Sequence, residues 1–103
     1  MSTLTQAAAD GDVVEMRRII ASGETVNATR GDGATPLLLA ALGAHAEACR
    51  VLLDAGADLD TPKDTGATAL FAAAASDSPE AIDCVTLLLA AGASVDLPNT
   101  HGV

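Results

Sequence analysis

Aromatic residues are almost missing from this chain: it has one Phe, no Tyr and no Trp among 103 residues, although half of its residues are apolar. Aromatic rings supply much of the buried area of an ordinary core. Here the core must be assembled from Ala, Leu, Val and Ile, which favours many small helix contacts over one bulky centre. Positive charge is scarce too, with 5 Lys and Arg against 14 Asp and Glu and a formal net charge of -9. A nucleic-acid binder needs a basic footprint, and a single-strand binder needs stacking aromatics as well; the chain has neither. The same acidity disfavours docking on anionic membrane surfaces. No apolar run approaches the roughly 18 residues that cross a bilayer. The start, Met1-Ser2-Thr3-Leu4-Thr5-Gln6, lacks the basic and apolar regions of a signal peptide. Two cysteines, Cys49 and Cys84, do not make a disulfide framework, and a reducing interior follows as the natural setting. The expectation is a cytoplasmic chain with no nucleic-acid partner and no membrane partner.

What the chain does have is self-similarity. Gly33-Ala34-Thr35-Pro36-Leu37 and Gly66-Ala67-Thr68-Ala69-Leu70 share a Gly-Ala-Thr-x-Leu frame at an offset of 33 residues, and each copy runs on into an Ala pair, Ala40-Ala41 and Ala73-Ala74. Leu52-Leu53-Asp54-Ala55-Gly56 has an earlier counterpart in Ile19-Ile20-Ala21-Ser22-Gly23, again 33 residues away, and a later one in Leu88-Leu89-Ala90-Ala91-Gly92 at 36. The later copy therefore carries three extra residues, and Ser76-Asp77-Ser78-Pro79 is where they fall. A fixed period of this length marks a tandem array.

Each unit reads as two short helices and an extended turn. Thr35 and Thr68 suit the N-cap, where a side-chain oxygen accepts an orphan backbone N–H, and Pro36 follows at the first helical position, where its missing donor costs nothing. Thr3 with Gln6 has the spacing of a capping box. The Ala-rich first helix is slim enough to pack on several sides. The second helix carries an aliphatic stripe, such as Cys49, Leu52 and Leu53, at helical spacing. Gly23, Gly56 and Gly92 then supply a left-handed stop. Segments such as 60–68 are rich in Pro, Gly, Asp and Thr and read as turns. Ser78-Pro79 has the form of a cap and first turn for the last second helix, with Glu80 and Asp83 placed well against its dipole.

The run Asp32-Gly33-Ala34-Thr35-Pro36-Leu37-Leu38-Leu39-Ala40-Ala41, then Ala44-His45-Ala46-Glu47, then Leu52-Leu53-Asp54-Ala55-Gly56-Ala57-Asp58-Leu59-Asp60 resembles an ankyrin repeat, and the resemblance extends over essentially the whole chain. It departs at the motif His, which is Leu38 and then Phe71, at the motif Pro, which becomes Ala69, and at the motif Gly before His45, which is Ala44. The resemblance implies an all-α fold, an alpha-alpha solenoid of helix-turn-helix pairs joined by hairpin-like fingers. It implies one domain over 1–103, with units of about 1–30, 31–63 and 64–99, and 100–103 as the start of a truncated fourth. A solenoid usually closes with a polar capping repeat, so the third unit is expected to leave Val85, Leu88 or Leu89 open, a surface for self-association. With about three units, the array stands at the lower limit of what buries a continuous core.

No catalytic constellation is present, and no enzyme is expected. Gly31-x-Gly33 is too short for a dinucleotide fingerprint, a phosphate loop is absent, and so is a Gly-x-Ser-x-Gly elbow. Asp54, Asp58 and Asp60 lack the Gly and Glu of a calcium loop and read as solvated turn residues. His45 and Cys49, four apart on one helix, fall short of a structural zinc set. His45 occupies a position that is usually structural in the family, and no metal or cofactor is expected. Cys49 and Cys84 read as small buried hydrophobes in preference to redox or disulfide groups.

The resemblance implies binding. Family members use finger tips and the exposed side of the first helices as a concave groove. By position this groove takes Arg30, Asp32, Ala34, Leu42 and Gly43, then Lys63, Asp64, Thr65, Ala67, Ala75 and Ser76, and His101 at the end, with Gly31 beside Asp32 and with Ala9 and Asp10 extending it. The groove is poor in Trp, Tyr and Arg, the usual hot-spot residues, so either a partner supplies the bulky groups or the site lies on further repeats. The insert at 76–79 is a second candidate, because loops carry function. The first functional expectation is a non-enzymatic module binding a protein partner. Alternatives are a regulatory or docking segment of a larger enzyme or effector, and a self-associating structural fragment.

Overall fold

The computed structural model describes residues 3–29, 31, 33–58 and 68–92, and among these the regular structure is all helical. Six helices follow in order: α1 (Leu4–Asp10), α2 (Val13–Ala21), α3 (Pro36–Leu42), α4 (Ala46–Asp54), α5 (Ala69–Ala74) and α6 (Glu80–Ala90). They form two layers. α1, α3 and α5 lie side by side as one layer, α2, α4 and α6 as the other, and each odd helix also packs on the even helix that follows it.

The helix starts follow from local chemistry. Thr3, Thr35 and Thr68 are all extended at the N-cap, and each hydroxyl accepts the backbone N–H three residues on, from Gln6, Leu38 and Phe71. Thr35 and Thr68 are also the buried polar residues of the described chain, and burial is tolerated because these bonds are made. Thr35→Ala is expected to cost about 1–2 kcal/mol, at the upper end for a cap, because the orphaned Leu38 N–H has no water to turn to. Thr3→Ala, at an exposed cap, should cost less. Urea titration of the two variants measures the difference.

Two expectations about caps need correction. The Thr3–Gln6 box is only half made: Thr3 takes the Gln6 backbone N–H at 3.2 Å, but the Gln6 side chain donates to Asp10 at 3.1 Å. The i,i+4 carboxylate on the same helix face draws the amide away. At α6, Pro79 is the N-cap and gives no side-chain bond; Ser78, one residue earlier, accepts the Glu80 N–H at 3.3 Å and donates its hydroxyl to the Glu80 carboxylate. That bond, with the Glu80 backbone N–H, holds the Glu80 carboxyl below its ordinary pKa. The stops are as expected: Gly23, Gly56 and Gly92 have φ of 99°, 90° and 100°.

α3 shows why aromatics are dispensable. From Pro36 to Ala41 every residue is buried, with α1 and α5 on its two sides and α4 beneath it. A helix enclosed in this way needs small side chains to let its neighbours approach, and Ala40 and Ala41 provide them. The larger volume comes from Met16, Leu37, Leu38, Leu52 and Leu88, all buried. The one aromatic, Phe71, is not a core residue but is 39% exposed.

Leu88 is a further correction. It is fully buried, whereas Leu89 is 46% exposed and Val85 half-buried. The helical turn aims Leu88 with Cys84 at the interior and leaves Leu89 outside, so a test of self-association through α6 belongs at Leu89→Glu.

Candidate functional site

The three inner helices present equivalent stripes. Counting from the caps Thr3, Thr35 and Thr68, the third and seventh residues are Gln6 and Asp10 in α1, Leu38 and Leu42 in α3, and Phe71 and Ala75 at α5. Residues four apart share a helix face, so these six make three parallel rows. Leu38 in the middle row is covered. Gln6, Asp10, Leu42, Phe71 and Ala75 are exposed, Leu42 by 56%. The result is a face that is polar at the first unit, where Gln6 is bonded to Asp10, and apolar at the second and third.

The residues expected to bind a partner divide into three groups. Leu42, Gly43 and Ala75 are exposed and fall at the ends of neighbouring inner helices. Ser76 is half-buried and its hydroxyl accepts the Ser78 N–H at 3.1 Å, inside the insert. Ala34 is fully buried: the residue before a buried cap is drawn into the core with it, and its side chain is not available to a partner. Arg30, Asp32, Lys63, Asp64, Thr65, Ala67 and His101 lie outside the described residues. Phe71 was missed as a surface residue. Its signal was present, since it occupies the same register as the polar Gln6, but an isolated aromatic reads first as core.

His45 stands behind this face. It caps α4 without a side-chain cap bond, because its ring turns to the first unit, where Nε2 lies 3.1 Å from the Ala9 carbonyl oxygen. The ring fits against two glycines. A Cβ on Gly11 would lie 2.7 Å from Nδ1, and one on Gly43 would lie 2.6 Å from Nε2. Gly43 has φ -85°, so it is needed for room and not for backbone conformation. The left-handed position is instead held by Ala44, at φ 59°. Among the described residues, no group of three or more His, Cys, Asp and Glu gathers as metal ligands.

The second layer ties the units together on the opposite side. Arg17 of α2 pairs with Glu47 of α4 at 3.4 Å, and Arg50 reaches Glu47 at 3.6 Å. Exposed pairs of this kind contribute little stability. Asn27 accepts the Asp58 N–H at 2.7 Å, linking the first unit to the end of the second. A hollow of about 450 Å³ between α4 and α6 is lined by Ala46, Glu47, Arg50, Asp83, Thr86 and Leu87. Within the protein, Cys49 and Cys84 bring their sulfurs to 4.0 Å. Burial pushes both thiols above their ordinary pKa; at Cys49 the neighbouring Cys84 sulfur adds to the rise, whereas at Cys84 the hydrogen bond from Cys49 opposes it and the Asp83 charge adds to it.

Among the described residues no helix is long and apolar enough to cross a membrane. The sequence matches the family model of ankyrin repeats in three copies over residues 4–99. It is 36% identical over 97 residues to the ankyrin repeat, SAM and basic leucine zipper domain-containing protein 1 of Rhinolophus ferrumequinum, covering 93% of this chain and 20% of that protein. The protein of the same name from Colobus guereza is 43% identical over 84 residues, covering 81% of this chain and 18% of the relative. The chain thus spans about a fifth of the length of these curated relatives. The crystal structure of the human ASB11 ankyrin repeat domain superposes with a TM-score of 0.84 at 36% identity, over 94% of this chain and 42% of that one. With the two helix layers, the repeated Thr caps and these matches in agreement, the chain belongs to the ankyrin-repeat family.

Proposed function

We propose that this chain is a non-enzymatic, cytoplasmic module that binds a protein partner through the face formed by the ends of its inner helices. Ankyrin repeats are generally protein-interaction modules. The observation that carries the reading here is Leu42, a large apolar side chain 56% exposed at the centre of that face, between Asp10 on one neighbour and Phe71 and Ala75 on the other. The partner supplies a bulky apolar group to Leu42 and Phe71, and a donor or cation to Asp10. The net charge of -9 favours a partner with a basic surface and makes association faster at low salt.

Leu42→Arg is the direct test. A central apolar anchor contributes about 2 kcal/mol or more, so partner capture should weaken about 30-fold or more, while Arg50→Ala on the opposite layer leaves it unchanged. Equal capture by wild type and Leu42→Arg overturns the reading. A second reading, a docking segment within a larger protein, is favoured by the relatives' names, which include SAM and basic leucine zipper domains. In that setting the same face engages a domain of the longer chain, and the Leu42→Arg substitution in the full-length protein changes that protein's activity.

A further inference from the structure

Cys49 and Cys84 are the only cysteines in the sequence, both are fully buried, and the Cys49 thiol donates to the Cys84 sulfur at 4.0 Å. Their meeting is a matter of register. Gly56 and Gly92, the matching helix stops, are 36 residues apart, but the cysteines are 35 apart. One residue is about 100° of helix turn. The counterpart of Cys49 in α6 is therefore Val85, and Cys84 lies one residue, or about 100°, away from it, on the part of α6 that meets Cys49 of α4. We propose that Cys49 and Cys84 are a dithiol–disulfide pair, oxidised by a peroxide, that locks the third unit onto the second.

A disulfide needs sulfurs about 2.0 Å apart, so closure asks for about 2 Å of approach. α6 is the helix able to give it, since its main packing among the described elements is on α4 and α5. A thiolate attacks one peroxide oxygen, the O–O bond breaks, and a sulfenic acid forms with release of hydroxide, which leaves as water. The second thiol then attacks the sulfenyl sulfur, forming the S–S bond and expelling a second water. Two thiols are oxidised by two electrons and one hydrogen peroxide is reduced to two waters. While α6 is docked, burial keeps both thiols protonated and shielded, so the first step requires α6 to lift from α4. Local openings of this kind need less free energy than global unfolding. Redocking then brings the partner thiol onto the sulfenic acid before further oxidation. Cytosolic disulfides are typically transient and regulatory, and this one determines whether the third unit, which carries Phe71 and Ala75, can leave the array.

The test uses the full chain, reduced and then exposed to hydrogen peroxide. Intact mass spectrometry should show a monomer lacking two hydrogen atoms, and its melting temperature should rise by about 10 °C or more, because the link closes a loop of more than thirty residues. Dithiothreitol should reverse both changes. Cys49→Ala and Cys84→Ala should each abolish the mass loss and the peroxide-dependent shift. The proposal is overturned by an unreacted chain, by sulfinic acid or a cross-linked dimer as the main product, or by an intramolecular disulfide that fails to raise the melting temperature.

Discussion

Leu52→Ala should destabilise the chain by about 2–5 kcal/mol and lower its melting temperature by about 10–20 °C. Leu52 is completely buried on α4, the helix that packs on α2, α3 and α6. An aromatic-free core concentrates its burial in few large side chains, and most of the surrounding volume is alanine. Alanines have no side-chain freedom with which to refill a cavity, so the cost should fall in the upper part of that range. The total stability of a domain this size is only about 5–15 kcal/mol, and a three-unit array has little margin. Chemical denaturation gives the measurement. A loss below about 1 kcal/mol would show that the second unit collapses onto the gap and that its packing is looser than described.

Gly11→Ala should be nearly as damaging, for two separable reasons. At φ 70° an alanine carries left-handed strain of about 1–2 kcal/mol, and its Cβ would meet the His45 ring at 2.7 Å. Two other glycines divide these contributions. Gly23, at φ 99°, has nothing within 4 Å of an added Cβ, so Gly23→Ala reports strain alone. Gly43, at φ -85°, would place its Cβ 2.6 Å from the ring, so Gly43→Ala reports the clash alone. The expected order of loss is Gly11→Ala largest, with the other two smaller. His45→Ala by itself removes the bond to the Ala9 carbonyl, worth about 1 kcal/mol. Combined with Gly11→Ala or Gly43→Ala, however, it should cancel the clash, giving a favourable coupling of about 1 kcal/mol or more. Strict additivity in both pairs would mean that the ring does not occupy the space between the glycines.

Much of the fold was legible because helix ends are decided locally. A threonine hydroxyl reaches only the N–H three residues on, a proline fits only the first turn, and a glycine stop needs only its own φ. Thr35, Pro36, Thr68, Gly23, Gly56 and Gly92 could therefore be assigned from spacing. The candidate face was legible only in part. The family resemblance placed Leu42, Gly43 and Ala75 on it and they are exposed, whereas Ala34 was assigned to it and is buried, and Phe71 was left off it and is exposed.

By itself, then, the sequence determined the repeat, the two helices per unit, where most of them start and stop, and a core made without aromatics. The tertiary structure alone decided which side chains cross from one unit to another. It placed the His45 ring between Gly11 and Gly43, and it covered Leu38 but not Phe71 at the same register. It buried Leu88 beside exposed Leu89, and it brought Cys49 against Cys84. The reason is geometric. Hydrogen bonds within a helix link residues a few positions apart, so their pattern is written along the chain. A contact between units depends on the rotation of each helix, where one residue is about 100°, and on which neighbour lies there to meet it.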